Sequence, residues 1–124
     1  MVIDTKYPKN LKERTFEFAV DVRSFLGIIP KKPANNEDAR QLLRSSGSVG
    51  ANYLEADNAL SHRDSQMRLR ICLKEARESA YWLSLLDLGT NPNILTERDR
   101  LIAESTELVR IFAAIVRKRS SLNS

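Results

Sequence analysis

The hydrophobic residues of this chain recur with a helical period in four segments, and no segment shows the sustained alternation of a β-strand. Gly27 and Pro30 follow the first segment, and Gly89 and Pro92 follow the third. Short connections make consecutive helices antiparallel neighbours. The pattern therefore predicts an all-α fold, a single domain over residues 1–124 that is an antiparallel up-down-up-down four-helix bundle. The predicted helices span about 11–28, 36–60, 64–88 and 97–119.

Each predicted helix has one stripe of apolar or small residues that is expected to face the core. Helix caps are expected where a polar side chain precedes such a stripe, at Asn10 with Glu13, at Asn35 or Asn36, and at Thr96 with Asp99. The predicted core positions are Phe18, Val22, Phe25, Leu26 and Ile29 in helix one; Leu42, Ser46, Val49, Tyr53, Ala56 and Leu60 in helix two; Leu69, Cys72, Leu73, Ala76, Ala80 and Leu83 in helix three; and Leu101, Ile102, Ser105, Leu108, Val109, Phe112, Ile115 and Val116 in helix four.

Helices one and three carry large apolar residues on a second face as well. In helix three this second face also includes Glu75 and Glu78. Leaving such large apolar groups in water is costly, and a single four-helix bundle offers nothing to cover them. The pattern predicts a subunit of a larger assembly, whose interface residues are Phe16, Val20, Met67, Ile71, Trp82 and Leu85.

Helix two contains two glycines in its middle, Gly47 and Gly50, with Ala51 on the same side. Each glycine costs a helix about 1 kcal/mol relative to alanine, so a compensating contact is expected. Close approach of another helix backbone, which larger side chains would block, explains all three residues. A local kink at Gly47 is the alternative interpretation.

The composition is that of an ordinary helical protein, with 42% hydrophobic and 29% charged residues. The single cysteine, Cys72, excludes an internal disulfide and fits a reducing compartment. The stretch from Met1 to Asn10 has no apolar run typical of a signal peptide, and no 18 apolar residues are consecutive. We therefore expect a cytoplasmic protein that does not cross a membrane.

Residues that carry catalysis are scarce. His62 is the only histidine, which excludes the Glu-x-x-His pairs of di-iron bundles, and phosphate-binding glycine loops and nucleophile motifs are absent from the sequence. Glu75 and Glu78 form half of a conceivable carboxylate metal site, but no second acidic pair lies on an obvious inner stripe. Pairing with arginines of a neighbouring helix or subunit is the alternative. The sequence thus predicts no enzyme activity and no cofactor, with a carboxylate metal enzyme as a rival.

The net charge of +4 is unevenly distributed. Arg70, Lys74 and Arg77 share one edge of helix three, and Arg117, Lys118 and Arg119 follow one another near the C-terminus. Repeated in a symmetric assembly, these six residues form a positive surface that suits RNA or DNA. The alternative is that they are only a solvated surface.

Two segments resemble a known family. The first runs from Arg44-Ser45-Ser46 through Ala51-Asn52-Tyr53 to Glu55-Ala56, and the second runs from Leu73 to Leu83. In these segments the chain resembles the four helix bundle protein family, which includes proteins encoded by intervening sequences of bacterial 23S ribosomal RNA genes. It is also similar to the accessory variability determinant of diversity-generating retroelements. It departs from the commoner family pattern at Ala56, where many relatives have glycine, and between Arg77 and Trp82.

The resemblance implies a bundle that assembles as a homopentameric ring, with a positive surface that in retroelement members contacts reverse transcriptase and nucleic acid. Combined with the charge pattern, it predicts a non-enzymatic, oligomeric adaptor of the 23S rRNA intervening-sequence protein type. The expected partners are further copies of the chain, RNA or DNA, and a reverse transcriptase. A structural protein–protein interaction module that binds no nucleic acid is the alternative.

Overall fold

A computed structural model of the protein describes residues 10–122, and within that range it contains four helices and no strand. The helices are α1 (Leu11–Leu26), α2 (Pro33–Asp57), α3 (His62–Leu85) and α4 (Pro92–Leu122). Consecutive helices pack side by side, α1 also contacts α4, and the pairs α1 with α3 and α2 with α4 lie diagonally. The predicted all-α four-helix bundle is confirmed. The prediction about a signal peptide concerns residues 1–9, which lie outside the described range.

The core lies between the inner stripes of the four helices, as predicted. Its largest fully buried side chains are Phe18, Phe25, Phe112, Leu42, Leu83, Leu101 and Leu108. One predicted core position is wrong: Leu60 is fully exposed, because α2 ends at Asp57 and the residue falls in the α2–α3 connection. Among the described helices, none is long and apolar enough to cross a membrane.

The predicted cap of α2 is wrong, and the residue involved has another role. The helix begins at Pro33, which occupies the first turn, and its N-cap Lys32 makes no side-chain cap. Asn35 is almost completely buried instead. Its Nδ2 donates to the carbonyls of Pro30 and Asp87, and its Oδ1 accepts from the Asp87 N–H. Asn35 therefore holds the α1–α2 connection against the segment that follows α3.

The other helix ends differ from the prediction by a few residues. The Asn10 cap of α1 is confirmed, because its Oδ1 accepts from the Glu13 N–H at 2.9 Å. For α4 the Thr96 cap is wrong, because the helix already begins at Pro92 and Asn91 Oδ1 accepts from the Asn93 N–H. The ends of α1 and α3 lie two and three residues earlier than predicted, and α4 extends three residues further.

The small residues of α2 allow α1 to pack close to it. A Cβ added to Gly50 would lie 3.0 Å from Thr15 Oγ1 and 3.3 Å from Thr15 Cβ, so the two helices approach closely at this point, as predicted. At Gly47 the nearest atom is the flexible end of Arg23, at 3.4 Å. Since α2 is one uninterrupted helix, a break at Gly47 does not occur.

Candidate nucleic-acid and assembly surfaces

Two acidic residues of α3, Glu75 and Glu78, lie beside α2. Glu75 is 3% exposed, and its Oε2 accepts from Arg44 Nη1 at 2.8 Å. Arg44 Nη2 also lies 3.5 Å from Glu78 Oε2. The predicted pairing with an arginine of a neighbouring helix is therefore confirmed, and that arginine belongs to α2.

The pKa values of the Glu75 and Glu78 carboxyl groups are shifted in opposite directions. Burial alone raises the pKa of Glu75, but hydrogen bonding with Glu78, Ser48 and Arg44 and the charge of Arg44 outweigh it, so the pKa is lowered. The pKa of Glu78 is raised, first by its hydrogen bond with Glu75 and then by burial. Among the described residues, no group of three or more His, Cys, Asp or Glu side chains is placed to hold a metal ion. The charge of Glu75 is thus matched by Arg44.

Four of the five cations of α3 are exposed, and the fifth, Arg68, donates from Nη1 to Asn52 Oδ1 of α2 at 3.0 Å. Arg70, Lys74 and Arg77 are exposed, and none of them forms an ion pair with a described residue. Elsewhere in the bundle arginines are paired, as Arg14 is with Glu104 at 2.8 Å and Arg100 is with Asp21 at 3.0 Å. The positive charge of Arg70, Lys74 and Arg77 is therefore available to an external anion, unlike that of Arg14 and Arg100.

The predicted nucleic-acid-binding residues leave out one exposed arginine of α3. Arg63 is exposed in the first turn of α3 and precedes Arg70 and Arg77 by seven and fourteen residues. A spacing of seven keeps residues on nearly the same side of a helix, so the regular interval was the available signal. Arg63, Arg70, Lys74 and Arg77 are called the cationic edge below.

The end of α4 extends the cationic edge at one end of the bundle. Gln66 Nε2 donates to the Val116 carbonyl at 2.9 Å and to Ser120 Oγ at 2.7 Å, which fixes the last turns of α4 beside the start of α3. Arg117 and Lys118 are exposed there. Arg119 differs from its two neighbours, because it is half-buried and its Nε has no hydrogen-bond partner among the described residues.

Three predicted assembly residues form an apolar patch on the outside of α3. Met67 and Leu85 are about half exposed, and Ile71 is partly buried beside them. Tyr81, which the sequence prediction did not include, is 58% exposed on the same side. Trp82 is half-buried, packs against the core and meets the Tyr81 ring edge-on at 5.1 Å. Trp82 is therefore only partly available to a partner.

The remaining two predicted assembly residues lie elsewhere, on α1. Phe16 is 68% exposed and Val20 is 42% exposed, the former beside a groove of about 610 Å³ between α1 and α2. On the α2 side the groove is lined by the small residues Gly47, Gly50 and Ala51 and by Leu54. The six predicted interface residues thus belong to two separate surfaces.

The two residues with reactive side chains lie apart from these surfaces. His62 is exposed as the first residue of α3. Cys72 is fully buried, its thiol donates to the Val49 carbonyl, and burial raises its pKa to about 12. A thiol with so high a pKa stays protonated at neutral pH and is a poor nucleophile.

No protein-family model matches the chain, and neither does any curated protein. Among solved structures, the chain is similar to a protein of unknown function of the S23 ribosomal protein family from Bacteroides thetaiotaomicron VPI-5482. The two are 31% identical with a TM-score of 0.71, over 85% of this chain and 96% of the other. Similarity of this extent covers the bundle and nearly the entire length of the relative. The chain therefore belongs to the S23 ribosomal protein family.

Proposed function

We propose that this protein is a non-enzymatic adaptor that assembles from several copies and binds nucleic acid through the cationic edge. The observation that carries this proposal is a row of exposed cations on α3 that form no ion pair with a described residue. On the same helix Glu75 is buried against Arg44, while Arg70 and Arg77 are exposed without an ion pair in the described structure. Unpaired guanidinium groups in a row are suited to bind phosphates, which supply most of the affinity of a sequence-independent complex.

Assembly of several copies strengthens nucleic-acid binding, because each copy adds another cationic edge. One copy offers about six exposed cations, from Arg63 to Arg77 on α3 and Arg117 with Lys118 on α4. Phosphate contacts add in free energy, so several edges on one particle bind a polyanion far more tightly than one edge does. Following the family resemblance, the assembly we propose is a homopentameric ring in the cytoplasm.

RNA is the first nucleic acid to test. The solved relative is named for a ribosomal protein family, and the resemblance to 23S rRNA intervening-sequence proteins points to structured ribosomal RNA. The proposed role is thus an adaptor that holds such an RNA, with DNA or a reverse transcriptase as further candidate partners.

The test measures binding of a labelled structured RNA by fluorescence anisotropy across roughly 50 to 200 mM salt. We expect wild-type affinity to fall steeply with salt, because bound phosphates release counterions. Arg70→Ala with Arg77→Ala should weaken binding and lower the slope of log affinity against log salt by about 1.4 to 1.8 for each copy that contacts the RNA.

The matched control is Arg110→Ala with Arg40→Ala. It also removes two exposed arginines, but each of these is paired with a glutamate three residues earlier on its own helix. This variant should bind RNA nearly as the wild type does. Equal losses in the two variants would contradict a localised edge, and affinity that is insensitive to salt would contradict phosphate binding.

The alternative function is a protein–protein interaction module without nucleic-acid binding. The exposed apolar residues Phe16 and Met67 favour it, because apolar contacts are a property of protein interfaces. If the wild-type protein assembles but ignores RNA and DNA at low salt, this alternative replaces the adaptor.

A further inference from the structure

We infer that a polar cavity at one end of the bundle binds an unpaired guanine base of the RNA that the cationic edge holds. The cavity lies where the last turns of α2 and α4 meet the first turn of α3, and it is called the end cavity below. The inference rests on the proposed RNA binding and adds recognition of a base to the binding of phosphates.

The end cavity has the size and the apolar walls that a nucleobase needs. Its volume is about 580 Å³, within the range of small-molecule sites in proteins. Leu69 and Ile115 line it from α3 and α4, and Leu60 lines it from the α2–α3 connection. Leu60 is fully exposed, so its side chain is free to cover one face of a planar ligand. A base that enters the cavity therefore exchanges water for apolar contact on its faces.

One buried hydroxyl group in the end cavity has no partner. Ser65 is 6% exposed and lines the cavity, yet its side chain forms no hydrogen bond with a described residue. The other buried hydroxyl groups in the described part of the chain each have a hydrogen-bond partner, and they belong to Thr15, Ser45, Ser46, Ser79 and Ser105. Since a buried polar group without a hydrogen bond is destabilising, the Ser65 hydroxyl marks a place where a ligand atom completes the bonding.

Two opposite charges line the end cavity without pairing. Asp57 is the last residue of α2 and Arg119 lies in the last turns of α4, and neither forms an ion pair with the other or with another described residue. Elsewhere in the bundle such groups are paired, as Glu104 and Arg14 are. The end cavity thus offers a ligand one group that only accepts hydrogen bonds and one that only donates them.

Guanine is the base that matches these two groups best. Its N1–H and 2-amino group lie side by side and donate together to one carboxylate, whereas adenine, cytosine and uracil each offer a carboxylate a single donor group. Its O6 and N7 accept from one guanidinium, which is the commonest specific contact of arginine with a base. Asp57 and Arg119 therefore suit two different edges of one guanine, and the Ser65 hydroxyl supplies a third hydrogen bond.

The position of the end cavity explains why a base, rather than a phosphate, enters it. Exposed cations adjoin its lining residues in the sequence, Arg63 on α3 and Arg117 with Lys118 on α4. These cations hold the phosphates of a strand that passes the mouth of the cavity. The Asp57 carboxylate repels a phosphate inside the cavity but not an uncharged base. Unpaired bases are the part of an RNA that proteins read for sequence.

The test uses four RNA hairpins that are identical except for one unpaired nucleotide in the stem, which is G, C, A or U. Binding is measured by fluorescence anisotropy at a fixed salt concentration of roughly 100 mM. We expect the wild type to bind the G hairpin at least about fivefold more tightly than each of the others, because a bidentate contact discriminates bases by that factor or more. All four affinities should fall with salt at the same slope, since the phosphate contacts are shared.

Two variants remove groups that contact the base. Asp57→Asn replaces a group that accepts two hydrogen bonds with one that accepts and donates, and it should reduce the preference for G to less than about twofold. Ser65→Ala should weaken binding of the G hairpin. Because the Ser65 hydroxyl bonds nothing in the described structure, Ser65→Ala should leave the stability to denaturant unchanged or higher.

The matched control is Glu55→Gln. It also removes a carboxylate near the end of α2, but Glu55 is exposed and lies outside the end cavity. This variant should keep the wild-type preference for G, and any general gain in RNA affinity from the lost negative charge should equal that of Asp57→Asn.

A wild type that binds all four hairpins equally, with the salt dependence proposed above, would overturn the guanine site and leave RNA binding standing. Tighter binding of the C hairpin would overturn the assignment of guanine. A preference that survives both Asp57→Asn and Ser65→Ala, or that is lost equally in Glu55→Gln, would place base recognition outside the end cavity and overturn the inference. Failure to bind RNA at low salt would overturn both the guanine site and the proposed function.

Discussion

At the residue scale, the Arg44–Glu75 pair shows how a buried charge is tolerated in this bundle. Glu75 is 3% exposed, and the lowered pKa of its carboxyl group results from hydrogen bonds and the Arg44 charge overcoming the effect of burial. A carboxylate buried to this degree is stable only while its partner is present. Arg44 is therefore a structural residue, in contrast to Arg70 and Arg77, which form no ion pair with a described residue.

Arg44→Ala should lower the free energy of unfolding at pH 7 by about 2 kcal/mol, because it leaves a buried carboxylate without its cation. Since the folded pKa of Glu75 is lowered, the stability it adds is present above its unfolded value and is lost as pH falls through the folded value. The difference between wild type and variant should therefore shrink in acid. Urea unfolding at several pH values measures it, and the surface variant Arg40→Ala should change stability by less than about 0.5 kcal/mol. A difference in unfolding free energy between wild type and Arg44→Ala that is constant with pH would contradict a role for the charged Glu75 carboxylate.

Cys72 should be almost unreactive in the folded protein. The thiol is fully buried and burial raises its pKa to about 12, so neither the thiolate nor access for a reagent exists at pH 8. A thiol reagent should label it only as the protein unfolds, and the labelling rate should rise with added denaturant. Rapid labelling of the native protein would show that the α2–α3 core opens readily.

At the element scale, the glycines of α2 are explained by the helix that α2 packs against. Its glycines are unfavourable for a helix, yet Pro33–Asp57 is continuous, because Gly50 permits the contact with α1 at Thr15. The sequence located this close approach correctly. It could not show that Gly50 lies against Thr15 whereas Gly47 meets only the end of Arg23, because the two glycines differ only in their tertiary neighbours.

The two glycines should respond oppositely to alanine. Gly47→Ala should raise the free energy of unfolding by up to about 1 kcal/mol, because its Cβ meets only the flexible end of Arg23. Gly50→Ala should lower it by about 1 kcal/mol, since Thr15 is buried and its Oγ1 is held 2.7 Å from the Leu11 carbonyl. Denaturant unfolding at one protein concentration compares them. Equal effects would mean that α1 and α2 do not approach at Thr15.

At the scale of the whole molecule, the core, the buried ion pair, the cationic edge and the apolar surfaces lie on different parts of the bundle. The interior contains the apolar stripes, the α2–α3 side contains the Arg44–Glu75 pair, and the exposed surface of α3 carries the cationic edge. The α1–α2 groove and the outer face of α3 provide two different apolar surfaces. The salt dependence of RNA binding tests the cationic edge separately from the two apolar surfaces.

The sequence by itself determined the helices and their inner stripes, because a period of 3.6 residues and the core it buries are local properties of the chain. It also indicated the exposed cations, whose spacing on one helix needs no neighbour. Tertiary structure decided what depends on residues distant in sequence. Tertiary packing pairs Glu75 with Arg44. It buries Asn35, which hydrogen-bonds the Asp87 backbone instead of capping α2. It also places the predicted interface residues on two separate surfaces. The physical reason is that hydrogen-bond partners and grooves exist only once separate helices are packed together.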